Sequence, residues 1–255
     1  MKCVPGLMLS LSFCATAVSA TDAPLKIDAE GLVAHPGVSS FPATGRYSDA
    51  ALAASPTAEA YLLGAALLRS SLVDAQTRLR AGAIYDLGEL ARRAGKDGDD
   101  ALMNRAMTML AWIRALPVTG RQVALLDPRV VEVTAEANLP LENGDVLHYP
   151  VRPATVRIVG AVVAPCEVAH VPMQDARRYL AACPADRLAD ADDFFVIQPD
   201  GRVIRQGRAL WNLSDPLALA PGAVLYVPIR TSATVAVDPD LDKDVATFLG
   251  TQVLP

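Results

Sequence analysis

The chain has 255 residues, 23 Lys and Arg against 28 Asp and Glu, a formal net charge of −5 and a 52% share of hydrophobic residues. A mildly acidic balance with no basic run argues against a nucleic-acid binder and against electrostatic attachment to an anionic membrane surface. Few aromatics beside many Ala, Val and Leu imply an ordinary folded core rather than a disordered chain.

The first residues read as a secretory signal. Met1 and Lys2 give a basic start, Leu7 to Val18 is an apolar run too short to span a bilayer, and Val18-Ser19-Ala20 has the small residues of a cleavage site. A lipoprotein signal at Leu11-Ser12-Phe13-Cys14 is disfavoured, because Phe13 is bulky where a small residue belongs before the cysteine. Removing residues 1–20 takes one Lys and no acid, leaving a charge of −6. It also leaves Cys166 and Cys183 as an isolated pair. In an oxidising compartment such a pair forms one disulfide, which restrains the unfolded chain by roughly 3 kcal/mol. A zinc site would need four ligands, and no His or Cys companion stands at ligand spacing.

Leu25 to Ala34 alternates loosely like a strand, His35-Pro36-Gly37 is a turn, and a short strand follows near Val38 to Phe41. Gly45 to Ser55 reads as a short helix with Ser48 and Asp49 suited to its first turn. Tyr61 to Arg69 has helical propensity, but its counterpart later in the chain favours a strand. Leu72, Ala75, Leu79, Ala83, Leu87 and Leu90 then draw one helical stripe. After the polar break at Gly95 to Asp99, Leu102, Ala106, Met109, Leu110 and Ile113 draw a second stripe before Pro117. This is a helical hairpin. Gly120 to Leu126 and Val130 to Thr134 read as strands.

Leu141 to Arg152 (LENGDVLHYPVR) returns as Leu219 to Arg230 (LAPGAVLYVPIR), an offset of 78 with Gly144 on Gly222. Further forward, Val33 to Gly37 matches Val162 to Cys166 at an offset of 129, and Ala51 to Ser55 matches Tyr179 to Cys183 at 128. The chain therefore contains one supersecondary unit twice. The larger front offset means that the first copy carries about 51 extra residues, which the hairpin supplies. In the second copy Phe194 to Ile197 and Val203-Ile204 flank the turn Pro199-Asp200-Gly201. A tail follows in which Leu241, Val245, Phe248 and Leu249 share a helical face; so short a helix must dock on its own protein or on a partner.

These elements predict an α+β fold of two tandem β-grasp (ubiquitin-like) domains, with a helical hairpin inserted in the first and a C-terminal amphipathic helix. The expected boundaries are 1–20 for the signal peptide, 21–152 for the first domain with the insertion at about 71–116, 153–232 for the second and 233–255 for the tail.

Val156 to Pro165 (VRIVGAVVAP), Tyr179-Leu180-Ala181-Ala182, Pro199 to Val203 and the close from Ala220 to Pro228 resemble the soluble-ligand-binding β-grasp repeats of outer-membrane polysaccharide exporters. Two such modules, an insertion ending in Leu116 to Arg121 (LPVTGR) and the tail helix are together similar to the GfcC-like capsule biosynthesis family. The resemblance implies a periplasmic accessory of capsule or exopolysaccharide assembly, with the outer-membrane polysaccharide export machinery or a polysaccharide as partner. Cys166 departs from the pattern, standing where these repeats carry the Gly of a Pro-Gly turn.

No Gly-x-Ser-x-Gly elbow, phosphate loop, dinucleotide fingerprint or His-Glu-x-x-His occurs, so the sequence predicts no catalytic residues, metal or cofactor. His35, His148 and His170 stand apart, and the aspartates at 186, 190, 192 and 193 and at 97, 99 and 100 read as solvated loop residues. Arg121 is the foremost binding candidate, able to clamp a sugar-acid carboxylate or phosphate, or else to tie the insertion to the sheet. Arg114 and Arg69 are lesser candidates. Trp112 and Trp211 could stack on a sugar ring, although core packing is the favoured reading of both. The alternatives are a polysaccharide-modifying enzyme using a cleft near the insertion, and a small-molecule carrier.

Overall fold

The computed structural model describes residues 23–254, apart from the side chain of Glu132. The expected signal peptide lies outside these residues.

The first unit opens with an antiparallel hairpin, β1 (Leu25–Gly31) and β2 (Gly37–Phe41). Helix α1 (Tyr47–Ala54) follows, with the Asp49 carboxylate accepting the Arg46 N–H at 2.8 Å to close its first turn. Of the ambiguous stretch after it, Leu62–Gly64 is a single 3₁₀ turn and Ala66–Leu68 is strand β3. The repeat thus outweighs local helix propensity here, as tertiary pairing commonly does. Helices α2 (Ser70–Lys96) and α3 (Asp100–Ala115) form the hairpin, the Asp99 carboxylate capping α3 by accepting the Leu102 N–H at 3.0 Å.

Two expected strands are corrected. Of Gly120 to Leu126 only Arg121–Gln122 pairs, as β4, and the expected strand at Val130 to Thr134 is instead part of helix α4 (Pro128–Val133). The reason is local: Asp127 accepts the Arg129 N–H at 3.0 Å as a cap, and Pro128 at the first helical position is pre-set for the turn. Strand β5 (Val146–Tyr149) then closes the unit.

The second unit repeats the plan with β6 (Thr155–Gly160), β7 (Cys166–Ala169), α5 (Ala176–Leu180), β8 (Asp193–Ile197), β9 (Val203–Gly207) and β10 (Val224–Val227). Two short helices finish the chain, α6 (Thr231–Thr234) and α7 (Leu241–Gly250). The sheets have one topology, β2-β1-β5-β3-β4 and β7-β6-β10-β8-β9, with the first and last strands of each unit parallel at the centre. Even the isolated bridges are duplicated. Val33 with Pro56, Arg46 with Pro140 and Ala60 with Val151 return as Val162 with Ala185, Asp175 with Ala218 and Ala189 with Ile229, at the sequence offsets of 129 and 78. Gly144 and Gly222 adopt the same left-handed conformation, φ +87° and +86°, before the closing strand. The expected disulfide is formed between Cys166 and Cys183, with Cα atoms 6.0 Å apart.

The insertion lies within the β3–β4 hairpin, residues 69–120 standing where the second unit has only the turn 198–202. Its destination is the other unit. Leu87, Leu90, Ala91, Met109 and Ile113 join one continuous core with the second sheet and with Leu241, Val245 and Phe248 of α7, whereas the first sheet packs separately against α1. Strand alternation explains this. Ile158, Val196 and Leu225 point toward the α5 side, equivalent to Ala29, Leu67 and Leu147 facing α1; Phe195, Ile197 and Tyr226 point the other way and need a second cover. Helix α7 and the hairpin provide it, and the tail helix docks at home.

Within that cover the Tyr226 hydroxyl donates to the Asp242 carboxylate at 2.8 Å. Burial, aided by the charge of Asp190, pushes Asp242 up to about 6, against hydrogen bonds from Tyr226, Thr234 and the Ile229 backbone. Because the folded value exceeds the ordinary carboxylate value of about 4, stability is fully present below about pH 4 and is lost as pH rises through 6, by roughly 3 kcal/mol. Asp242→Asn should remove most of that loss, so that urea unfolding of the variant and the native protein diverges between pH 4 and pH 7.

Candidate functional site

The candidate site is built at the neck of the insertion. The returning chain passes so close to the departing one that a Cβ on Gly120 would stand 2.3 Å from the Arg69 carbonyl oxygen, and Gly120 adopts φ +72°. Arg69 N–H donates to the Gly120 carbonyl at 2.8 Å. Gln76 of α2 brackets the next peptide: its Oε1 accepts the Gly120 N–H at 2.8 Å and its Nε2 donates to the Arg121 carbonyl at 2.9 Å. Thr119 Oγ1 accepts the Arg121 N–H at 3.0 Å and donates to the Thr251 carbonyl at 2.7 Å.

So held, the Arg121 side chain runs inward and is only 3% exposed. Its Nη1 donates to the Gln252 carbonyl at 2.7 Å, and its Nη2 donates to the carbonyls of Pro199 and Ala65 at 2.5 and 3.3 Å. These oxygens belong to the tail, the β8–β9 turn and the first unit, so one guanidinium joins three segments. Its Nε is buried without a partner. Burial pulls Arg121 down to about 10, opposed by the nearby charge of Asp200, so the side chain remains a cation at neutral pH. Asp200 is itself fully buried and accepts from the Arg202 backbone N–H at 3.0 Å and from Arg202 Nε at 2.5 Å.

Beside Arg121 lies a cavity of about 170 Å³. Ile197, Val224 and Leu249 give it apolar walls, Gln198 and Thr155 add polar atoms, and Gln252 to Leu254 of the tail pass along it. Arg157 and Glu167 also line it; Glu167 accepts the Thr155 hydroxyl at 2.5 Å. Ligand pockets usually span about 300–1,000 Å³, so this one suits a small terminal group rather than a length of polymer. Sequence reading did not single out Thr155 and Arg157, although their alternation with buried Val156 and Ile158 marks them as facing away from α5.

The three candidate arginines do not share a site. Arg69 is buried against Asp145, with Nε at 3.2 Å and Nη2 at 3.1 Å from its carboxylate, and pairs with Glu142 at 3.4 Å. Burial pushes the Asp145 carboxyl above its usual range even though the Glu142 N–H and Arg69 oppose it. Arg114 stands exposed on α3. His148 reaches Glu30 through Nδ1 at 2.9 Å and the Leu254 carbonyl through Nε2 at 3.1 Å, while His170 Nε2 meets the Leu219 carbonyl at 2.9 Å. Among the aspartates at 186–193, Asp190 accepts the N–H groups of Asp192, Asp193 and Thr231, and Asp186 pairs with Arg105. Trp112 packs on the core as expected, but Trp211 is 75% exposed, its Nε1 donating to Asp192 at 3.2 Å, because it rides a loop that turns outward after β9.

Residues 40–152 match the family model described as capsule biosynthesis GfcC, N-terminal, and residues 164–254 match the model of the GfcC C-terminal part. The chain belongs to the GfcC capsule biosynthesis family. A curated relative, the "Uncharacterized protein YjbG" of Escherichia coli strain K12, is 31% identical over 180 residues, covering 69% of this chain and 72% of its own. The two GfcC models divide the chain much as the two sheets do, and membership places the protein in capsule biosynthesis. For this GfcC-family chain, Arg121→Ala should lower the unfolding free energy by about 3 kcal/mol, because it strands three buried carbonyls that a charged donor now satisfies. Arg121→Lys should recover only part of the loss in the same thermal and urea measurements, one ammonium being unable to span all three.

Proposed function

We propose that the protein is a periplasmic accessory of capsule or exopolysaccharide assembly and export, acting by binding rather than by catalysis. Its tandem modules dock on the outer-membrane export machinery, and the cavity beside Arg121 receives a small anionic or terminal group of the saccharide. The family supplies the pathway. The observation that carries the binding reading is the lining of the cavity: among its described residues Glu167 is the one carboxylate, and it is engaged by Thr155. Glycoside hydrolysis ordinarily needs two carboxyl groups facing each other across the scissile bond, roughly 5–10 Å apart. The exposed Arg157 and the unpartnered Nε of the buried Arg121 cation suit recognition of an acidic sugar instead.

The test uses the tagged full-length chain in the strain that carries it, with chemical crosslinking of the envelope. An outer-membrane polysaccharide exporter should co-purify, and loss of the gene should reduce surface capsule. Arg157→Ala should weaken capsule output without changing thermal stability, since Arg157 is exposed. Failure to recover an exporter, together with shortening or chemical change of purified capsule by the protein alone, would favour the enzyme.

A further inference from the structure

The four outer sheet edges of the two units are treated very differently. An unpaired edge is a template for another strand, and proteins guard such edges with charge, brevity or a covering segment. Strand β4 has only two residues, and Val123 just after it abuts the β8–β9 turn. Strand β9 carries Arg205 at its centre, and its end is occupied by the following loop, with the Gly207 N–H donating to Ser214 Oγ at 2.9 Å and the Ser214 N–H to the Gly207 carbonyl at 3.2 Å. Strand β7 carries Glu167 and is stapled at its start by the disulfide.

Strand β2 has none of these guards. From Gly31 to Gly45 the sequence holds no Lys, Arg, Asp or Glu. Gly37 to Ser40 are all exposed and Val38 is 66% exposed, and β2 is paired along one side only, by β1. Among the described residues no other segment pairs with the free side. Leu52 of α1, the helix that packs against β2, is 83% exposed as well.

We propose that β2 is a self-pairing edge, and that two copies of this chain join there through antiparallel β2 strands to make one continuous ten-stranded sheet from two five-stranded ones. The argument for a second copy is the symmetry of the strand about Ser39. Pro36 and Pro42 stand three residues to either side and have no N–H to donate, so a ladder centred on Ser39 ends at the same point in both directions. In that register Ser39 faces its own copy, Val38 faces Ser40, and Phe41 covers Gly37, where the absence of a side chain leaves room for the ring. No charge opposes a like charge across the two-fold axis. A five-residue edge buries less than the roughly 1,200 Å² of a standard interface, so the dimer is weak and forms at the high local concentration of an assembly.

Sedimentation velocity of the full chain over about 10 to 500 µM should show a rising dimer fraction, as expected for a contact of this size. Ser39→Cys should form a disulfide-linked dimer under mild oxidation, on the order of tenfold more than Asn104→Cys on the exposed side of α3, because facing thiols have a high effective concentration. Val38→Lys with Ser40→Lys places four ammonium groups across the axis and should abolish the dimer while leaving the melting curve unchanged, both side chains being exposed. A chain that stays monomeric throughout the range, or a dimer that persists in the lysine variant, would overturn the proposal. So would a dimer that Ser39→Cys fails to trap. Capture of a foreign strand by a monomeric chain at this edge would assign it to a different partner and equally defeat self-pairing.

Discussion

The structure depends on covering the outer face of the second sheet. A sheet in water must bury its apolar face, and the second unit has two such faces. Its α5 covers the side of Ile158, Val196 and Leu225, but Phe195, Ile197 and Tyr226 on the other side would stand in solvent without the hairpin and α7. The first sheet has less to cover. Ala66, Leu68 and His148 stand where the second sheet has Phe195, Ile197 and Tyr226, and Lys26, Asp28 and Glu30 of β1 line the rest of that side. A divergence in side-chain bulk and polarity between two copies of a unit therefore explains why a segment inserted in the first is spent on the second.

That crossing makes the site. Because the hairpin leaves from one unit and lies on the other, its neck at Gly120 and Arg121 is pressed against the β8–β9 turn and the tail. Arg121 is buried as a consequence of the docking, and the cavity beside it is the space left where two units and a terminus meet. A guanidinium suits that junction because its planar donors can satisfy several carbonyls at once. Whatever the cavity receives, its shape is fixed by the same contacts that fix the fold.

Much of this was legible in the sequence. The echo of Leu141 to Arg152 in Leu219 to Arg230 gave β5 and β10 the same place in their sheets, and the apolar stripes from Leu72 to Ile113 gave both helices of the insertion. Helix α4 was missed although its signal was present: Asp127-Pro128 is a helix start, and the β-branched residues after it drew the reading toward a strand. The docking of the hairpin was not visible, because a stripe says that a face is buried but not against what. The role of Arg121 was only half visible for a related reason. Its partners are backbone carbonyls of Ala65, Pro199 and Gln252, and backbone groups leave no mark in the sequence.

The most direct measurement is native-state hydrogen exchange on the full chain and on a variant with Leu87→Asp in the buried stripe of α2. If the hairpin completes the core of the second unit, protection should fall at Phe195 in β8 and Tyr226 in β10 while Ile27 in β1 and Leu147 in β5 stay protected. Faster exchange confined to α2 and α3, with β8 and β10 as slow as in the native chain, would contradict the account.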